Sequence, residues 1–443
     1  MAKPFRLALL YLVPEGVNTW VAGVGSVING NMAALPEVVT ELKKQGVELS
    51  VYFATPAATP EVRGWNTGQI EKAQRVADLT GGEVVFLPNY TDGSDNFGAL
   101  DQWKVISAAG TELAYRIAKT HDKTVVLAHS SHPFALAPVY IDMQADVLGV
   151  DVVSIYTIHS TAIQDRTFQF KGAKYPDNQR IMVEALAVQW AKFTDRIKLG
   201  CISHYMGRHL VAEHGAHEDC LVPTLNGIDT SDPHFALIPE DRKLAVLKEN
   251  GVPLDEPLFF SWGRFVPEKG FDIFLEAASK AGCVHPVLVG MMDHSPEYPQ
   301  KLMKLADELP GERTVIVKRD WDLVASILQW KNTVLVGVVS RYDEPHGLVV
   351  NETRLHAREG GPVVMVSNRG GLPEQVTDGV DGLIVDIDDV DSVAAKIRDF
   401  MALPAEVRDE MRCNALRTIE ERYSFKRNII QTLAAVCDRV REI

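Results

Sequence analysis

Three segments carry residues whose types and spacing could act on a phosphate-bearing ligand. The first is Gly263-Arg264-Phe265-Val266-Pro267-Glu268-Lys269-Gly270. Arg264 and Lys269 lie five residues apart, after an apolar run and before a helical pattern. A fork of guanidinium donors and a point charge on a strand-to-helix loop can clamp a diphosphate, helped by the helix-terminal amides. The same pair could equally form an ordinary loop salt bridge. The second segment runs from Ser340 to Glu352 and sets Glu344 eight residues before Glu352. Glu344 ends a loop, and Glu352 falls about a turn and a half into the next helix. Both can face one ligand, and a carboxylate accepts two sugar hydroxyls well, or both are surface acids. The third is Asn368-Arg369-Gly370-Gly371-Leu372-Pro373-Glu374, followed by Asp378-Gly379-Val380-Asp381-Gly382. Paired glycines let backbone approach a neighbour closely.

Other segments suggest chemistry less specifically. Gly23-Val24-Gly25-Ser26 imitates a dinucleotide fingerprint, but Ile28 stands where its third glycine belongs. The next strand also ends without an acid for a ribose, which argues against a dehydrogenase. His129-Ser130-Ser131-His132 has metal-ligand spacing without a supporting Cys, His or carboxylate cluster, so no metal site is expected. Asp386-Ile387-Asp388 reads as a solvated loop. The five cysteines, Cys201, Cys220, Cys283, Cys413 and Cys437, are odd in number and form no C-x-x-C, as in a reducing compartment.

The elements that must position these residues alternate between short apolar runs and helical patterns. Arg6–Val13, Val47–Ala54, Lys123–Ala128, Val150–Ile158 and Arg196–Ser203 read as strands, with a helix over Met32–Gln45. The pattern restarts near residue 256. Strands are expected at Pro257–Trp262, Pro286–Val289, Thr314–Lys318, Thr333–Val338, Val363–Val366 and Leu383–Val385. Helices are expected at Phe271–Ala281, Tyr298–Leu309, Val324–Trp330, Gly347–Arg358 and Val390–Leu403. Such alternation implies an α/β fold with parallel, doubly wound sheets, whose ligands bind at the carboxyl ends of the strands. A linker is expected within Asn226–Asp255.

In order and spacing, the run from Trp262 to Val385 resembles the C-terminal half of retaining glycosyltransferases of the GT-B fold, of the family four (glycogen synthase and sucrose synthase-like) type. Members show G-R-x-x-x-x-K-G, then E-P-x-G-x-x-x-x-E, then G-G-x-P-E before D-G-x-x-G, and all appear here. The resemblance implies two facing Rossmann-like domains with a cleft between them. Residues 1–226 would bind the acceptor and 227–404 the nucleotide sugar, and helices over 405–443 would pack back on the first domain. It implies that Arg264 and Lys269 hold the donor diphosphate, Glu344 faces the donor sugar and Glu352 contacts the ribose. Gly263 and the backbone of His346, Gly347, Leu348 and Val349 would lie near sugar and phosphates. Val24–Gln45 looks like the family's glycine-rich first loop and helix, which gives Gly25, Asn29 and Gly30 a donor contact. His129 matches a histidine that touches the donor sugar, and Ile158-His159-Ser160 matches a further segment. One departure is that Pro362 follows Glu352 by ten residues instead of seven, an insertion at the helix end.

The chain of 443 residues has 46% hydrophobic and 23% charged residues, ordinary for a globular protein, and a net charge of −14. A generic nucleic-acid binder is therefore not expected. The start, with Lys3, Arg6 and a short apolar run, imitates a signal peptide but continues into Pro14-Glu15-Gly16, so a cytoplasmic protein is expected. The expected reaction moves a sugar from a UDP- or GDP-linked donor, which serves as co-substrate with no other cofactor and no metal, to a soluble small molecule. A lipid-linked or polysaccharide acceptor at a membrane is the alternative, since lipid-modifying relatives dock a basic aromatic helix and Arg166–Lys198 holds seven Lys/Arg against three Asp/Glu. A non-catalytic sugar-nucleotide-binding protein is the second alternative, and a homo-oligomer is compatible with the sequence.

Overall fold

The computed structural model describes residues 3–20, 23–89, 100–129, 133–166, 177–291 and 297–442. The chain divides into two compact units, Met1–Asp229 with Tyr423–Ile443, and Thr230–Arg422.

The first unit contains β1 (Phe5–Leu12), α1 (Gly23–Lys44), β2 (Val47–Pro56), α2 (Thr67–Thr80), β3 (Val84–Leu87), α3 (Leu100–Ala118), β4 (Lys123–His129), α4 (Ala137–Leu148), β5 (Val152–Ile158), α5 (Ala162–Arg166), α6 (Asp177–Trp190), β6 (Ile197–Cys201), α7 (His204–His214) and β7 (Leu221–Pro223). Its sheet is parallel, in the order β3-β2-β1-β4-β5-β6-β7. The order reverses between β1 and β4, so the loops leaving those two strands flank a topological switch point. β1 is apolar on both faces because helices cover both. From α1, Met32, Leu35, Val38 and Leu42 bury one stripe against it.

The second unit contains α8 (Glu240–Glu249), β8 (Leu258–Arg264), α9 (Phe271–Ala281), β9 (His285–Met291), α10 (Glu297–Glu308), β10 (Thr314–Val317), α11 (Trp321–Leu328), β11 (Thr333–Val338), α12 (Leu348–His356), β12 (Val363–Ser367), β13 (Leu383–Val385), α13 (Val390–Ala402) and α14 (Ala405–Arg422). The parallel order is β10-β9-β8-β11-β12-β13, with its switch point between β8 and β11. Two parallel doubly wound sheets match the expected GT-B architecture.

Three boundaries differ from expectation. α1 begins at Gly23, not Met32, so the glycines read as a loop lie within the helix. The expected linker contains α8, whose Leu247 is fully buried beside Val252 and Leu258. The return to the first unit comes at Tyr423, not at residue 405. α14 stays with the second unit because Thr418 Oγ1 donates to Asp381 and Arg412 Nη1 to the carbonyls of Ala357 and Arg358. Only α15 (Phe425–Ala434) crosses back, burying Ile429, Ile430 and Leu433 with β1 and α1. Gly227 permits this return, since a Cβ there would lie 2.7 Å from the Tyr423 carbonyl oxygen.

The segment that the resemblance reads as an insertion after Glu352 contains a Gly360-Gly361 turn in which both residues have positive φ. A Cβ on Gly361 would lie 2.5 Å from the Leu328 carbonyl oxygen. This turn thus closes the carboxyl end of α12, away from its amino end at Leu348.

Candidate functional site

In the second unit, the loops leaving β8 and β11 meet at the switch point. The first contains Lys269, then Gly270 at φ +67°, where a Cβ would sit 2.1 Å from the Val339 carbonyl oxygen. Only glycine lets the two loops approach so closely. They are bound further by Arg341 N–H to the Glu268 carbonyl (2.7 Å) and by Ser340 Oγ to the same oxygen (3.1 Å). The Arg341 guanidinium clamps Asp272 through two 2.6 Å bonds, and Tyr298 Oη donates to Asp272 at 2.9 Å. Lys269 Nζ pairs with Glu344 Oε1, which also accepts from Ser340 Oγ at 3.2 Å. The ammonium that the resemblance gives to the diphosphate therefore touches the carboxylate it gives to the sugar. Arg264 ends β8 with an exposed side chain, directly after Gly263.

The Gly370-Gly371 pair belongs to the same loop system. The Gly371 N–H donates to the Glu344 carbonyl (2.7 Å) and the Gly370 N–H to Asp343 Oδ1 (3.1 Å). A Cβ on Gly370 would lie 2.4 Å from the Glu344 carbonyl oxygen, so this pair supports the loop carrying Glu344. Gln375, with its amide oriented to satisfy both groups, accepts from Gly347 N–H and donates to its carbonyl. His346 and Gly347 lead directly into α12, and no side chain caps that helix. The first-turn amides of Leu348 and Val349 and the positive helix end are thus suited to an anion.

Glu352 lies on α12, half-buried. Among the described residues it makes no hydrogen bond or ion pair. Burial alone pushes its carboxyl from 4.5 up to about 7. The helix itself is fixed by Arg354, whose buried guanidinium lies 3.1 Å from Asp381 Oδ1. Asp381 also accepts from Thr377 N–H and Thr418 Oγ1. The D-G-x-x-G segment therefore positions α12.

The remaining expected site residues belong to the first unit. The Gly25 amide donates to Glu15 Oε1 at 3.0 Å, an acid that the sequence reading did not single out. Asn29 Oδ1 accepts from Gln69 Nε2 (3.1 Å) and Lys72 Nζ (2.7 Å). Gly30 makes room for Phe425, since a Cβ there would lie 2.0 Å from its ring. These three residues thus serve contacts within the unit, and they lie inside α1 instead of in a loop. His129 is only 3% exposed and stacks with Tyr11 and His159. Its Nδ1 is 3.0 Å from His159 Nε2. Desolvation holds His129 well below the usual histidine range and brings His159 down to about 4, so both rings are neutral near pH 7. Tyr11, His129, Thr157 and Thr224 line a cavity of about 30 Å³, room for about one water. Ser130, Ser131 and His132 lie outside the described residues, as do residues 167–176 of the basic aromatic stretch.

Residues 243–418 match the family model described as "Glycosyl transferases group 1". The matched residues lie within the second unit. D-inositol 3-phosphate glycosyltransferase from Mycobacterium avium is 36% identical over 150 residues, covering 33% of this chain and 34% of that protein. The match thus spans about a third of the curated relatives' length. Among solved structures, Anabaena HepE in complex with UDP and glucose aligns with a TM-score of 0.63 at 17% identity, over 97% of this chain and 99% of that one. Sucrose-phosphate synthase from Thermosynechococcus elongatus aligns at 0.65 and 17% identity, over 96% and 97%. Over nearly the whole chain these likenesses concern the GT-B fold.

Within the matched residues, sequence reasoning missed Asp272, Arg341 and Gln375. Asp272 and Arg341 are 69 residues apart, and no local spacing links them. In the first unit, Glu15 carried one usable signal, an acid in an otherwise apolar strand-to-helix segment.

Proposed function

We propose that this protein transfers a sugar from a nucleoside diphosphate sugar to a small-molecule acceptor, with retention at the anomeric carbon. One observation carries the reading. At the switch point, Lys269 and Glu344 meet beside the uncapped amino end of α12, and Glu352, whose carboxylate has no partner among the described residues, lies on that same helix. A diphosphate has cationic and amide donors there, and a ribose diol has a carboxylate acceptor. The solved complex of Anabaena HepE with UDP and glucose supports a UDP-linked donor. The name D-inositol 3-phosphate glycosyltransferase supports a small acceptor.

Departure of the diphosphate is the costly step, because the bond from the anomeric carbon breaks and negative charge grows on the β-phosphate oxygen that held the sugar. Arg264, Lys269 and the Leu348 and Val349 amides would stabilise that charge, and groups fixed in place before reaction act most strongly. These donors can do so without a divalent metal. Lys269 has three N–H donors, so it can hold a phosphate oxygen and Glu344 together. Glu344, held by Ser340 and Lys269, would receive sugar hydroxyls.

The test is a panel of UDP- and GDP-sugars with candidate polyol, sugar and phosphorylated acceptors, with the anomeric configuration of the product read by NMR. Formation of the retained anomer in the presence of a chelator supports the reading. An inverted product, or turnover that requires added metal, refutes the corresponding part. Nucleotide binding with no transfer to any acceptor would favour a non-catalytic binding protein.

A further inference from the structure

At the amino ends of β8, β9 and β10, the sheet edge opposite the loops described above, three side chains with metal-ligating atoms converge. Glu256 precedes β8, His285 opens β9 and Glu312 precedes β10, and these strands are adjacent. One ligand atom from each lies within 4.8 Å of the others. We propose that Glu256, His285 and Glu312 bind a divalent transition-metal ion of the zinc class.

The imidazole is prepared for this role. Its side chain is 4% exposed, and its strand is anchored by His285 N–H donating to the Pro257 carbonyl at 2.8 Å. Nδ1 lies 3.0 Å from Glu256 Oε2, and Nε2 lies 3.0 Å from Thr314 Oγ1. A hydroxyl can donate or accept, so Thr314 serves either tautomer. A metal at Nδ1 would take the place of the proton now shared with Glu256, and Nε2–H would then donate to Thr314. A metal-ligating histidine commonly has its second nitrogen held in this way.

The spacing is also suitable. In a tetrahedral zinc site with bonds near 2.0–2.1 Å, donor atoms lie about 3.3 Å apart. The observed separations run from 3.0 Å to at most 4.8 Å. Both glutamates are exposed, so their carboxylates can close the difference. A pocket of about 480 Å³ opens beside the three residues and leaves room for water as a fourth ligand. One imidazole with two carboxylates suits zinc or manganese better than thiolate-seeking ions. The ion would tie three strand ends together about 20 Å from the switch-point loops, at about 3.3 Å per strand residue, and takes no part in sugar transfer.

Chelator-treated protein titrated with Zn²⁺ by calorimetry, with bound metal counted after gel filtration, tests the proposal. The expected result is one Zn²⁺ per chain and a raised thermal midpoint. H285Q and the double variant E256Q/E312Q should each weaken binding by at least about 10-fold. The double variant alters only exposed groups, so it stays informative if H285Q fails to fold. C413S removes an exposed thiol and should bind like wild type. Uptake that persists in E256Q/E312Q, uptake that disappears with C413S, or no uptake by wild type would overturn the proposal.

Discussion

Replacing Glu352 with glutamine isolates the electrostatic cost of the one site carboxylate that lacks a partner among the described residues. Burial raises this carboxyl from 4.5 to about 7. The folded chain therefore holds the proton more tightly than the unfolded chain. The stability this confers is present below pH 4.5 and is lost as pH rises toward 7. A difference of 2.5 pH units at 1.36 kcal/mol each sets that loss at about 3 kcal/mol. Glutamine keeps the volume but not the charge. In urea denaturation, the stability difference between wild type and E352Q should therefore move by about 3 kcal/mol in favour of the variant between pH 4.5 and 8.5. Glu184, also raised to about 7 by burial, is present in both proteins and cancels. Nucleoside diphosphate affinity should move the opposite way. Losing a charged acceptor for ribose hydroxyls costs about 1.5–3 kcal/mol, or about 10- to 150-fold in Kd at pH 8, and less at pH 5. A pH-independent stability difference would refute the buried-carboxylate account. Unchanged affinity would refute its ribose role.

Other perturbations test the scaffold. Gly270→Ala should destabilise by more than the roughly 1–2 kcal/mol that a left-handed φ imposes, because its Cβ also meets the Val339 carbonyl. Gly282→Ala, at φ +65° with nothing closer than 3.9 Å, should show the φ cost alone, and equal midpoint shifts for the two would contradict the close-approach argument. Asp381→Asn should cost about 3–5 kcal/mol in chemical denaturation by leaving the Arg354 guanidinium buried without its counter-charge. A loss below 1 kcal/mol would show that the pair does not hold α12. His159, His214 and His356 are depressed by burial to about 4, 4 and 3. Their stabilisation is present above pH 6.5 and lost as pH falls toward 4. Thermal midpoints should drop over that window, and His159→Gln should lessen the drop; equal slopes would contradict this.

Legibility in the sequence followed locality. The strands of the second unit were readable because each is a short apolar run, and Thr333–Val338 and Leu383–Val385 match to the residue. Glu344 and Glu352 were readable because one loop and one helix start fix their spacing. α1 was read too short because Gly23, Gly25 and Gly30 look like loop residues. Gly30 tolerates the helix because Phe425, nearly four hundred residues later, takes the space its side chain would fill. The same remoteness hid Arg341 with Asp272, Arg354 with Asp381, and Glu256 with His285 and Glu312. Charge pairs across strands and loops leave no spacing in a sequence. Net charge is similarly uninformative about a ligand, since a total of −14 does not show where Arg264 and Lys269 are placed.

The central claim is that the loops at the β8–β11 switch point hold a nucleoside diphosphate through Lys269 and Arg264. Calorimetric titration of UDP and GDP into wild type, Lys269→Ala and Arg264→Ala tests it most directly. The account predicts binding of at least one nucleotide by wild type. Each variant should weaken it by about 10-fold or more, as expected for loss of a charge-assisted bond, while keeping the wild-type thermal midpoint within a few degrees. Wild-type affinity in both variants would contradict it.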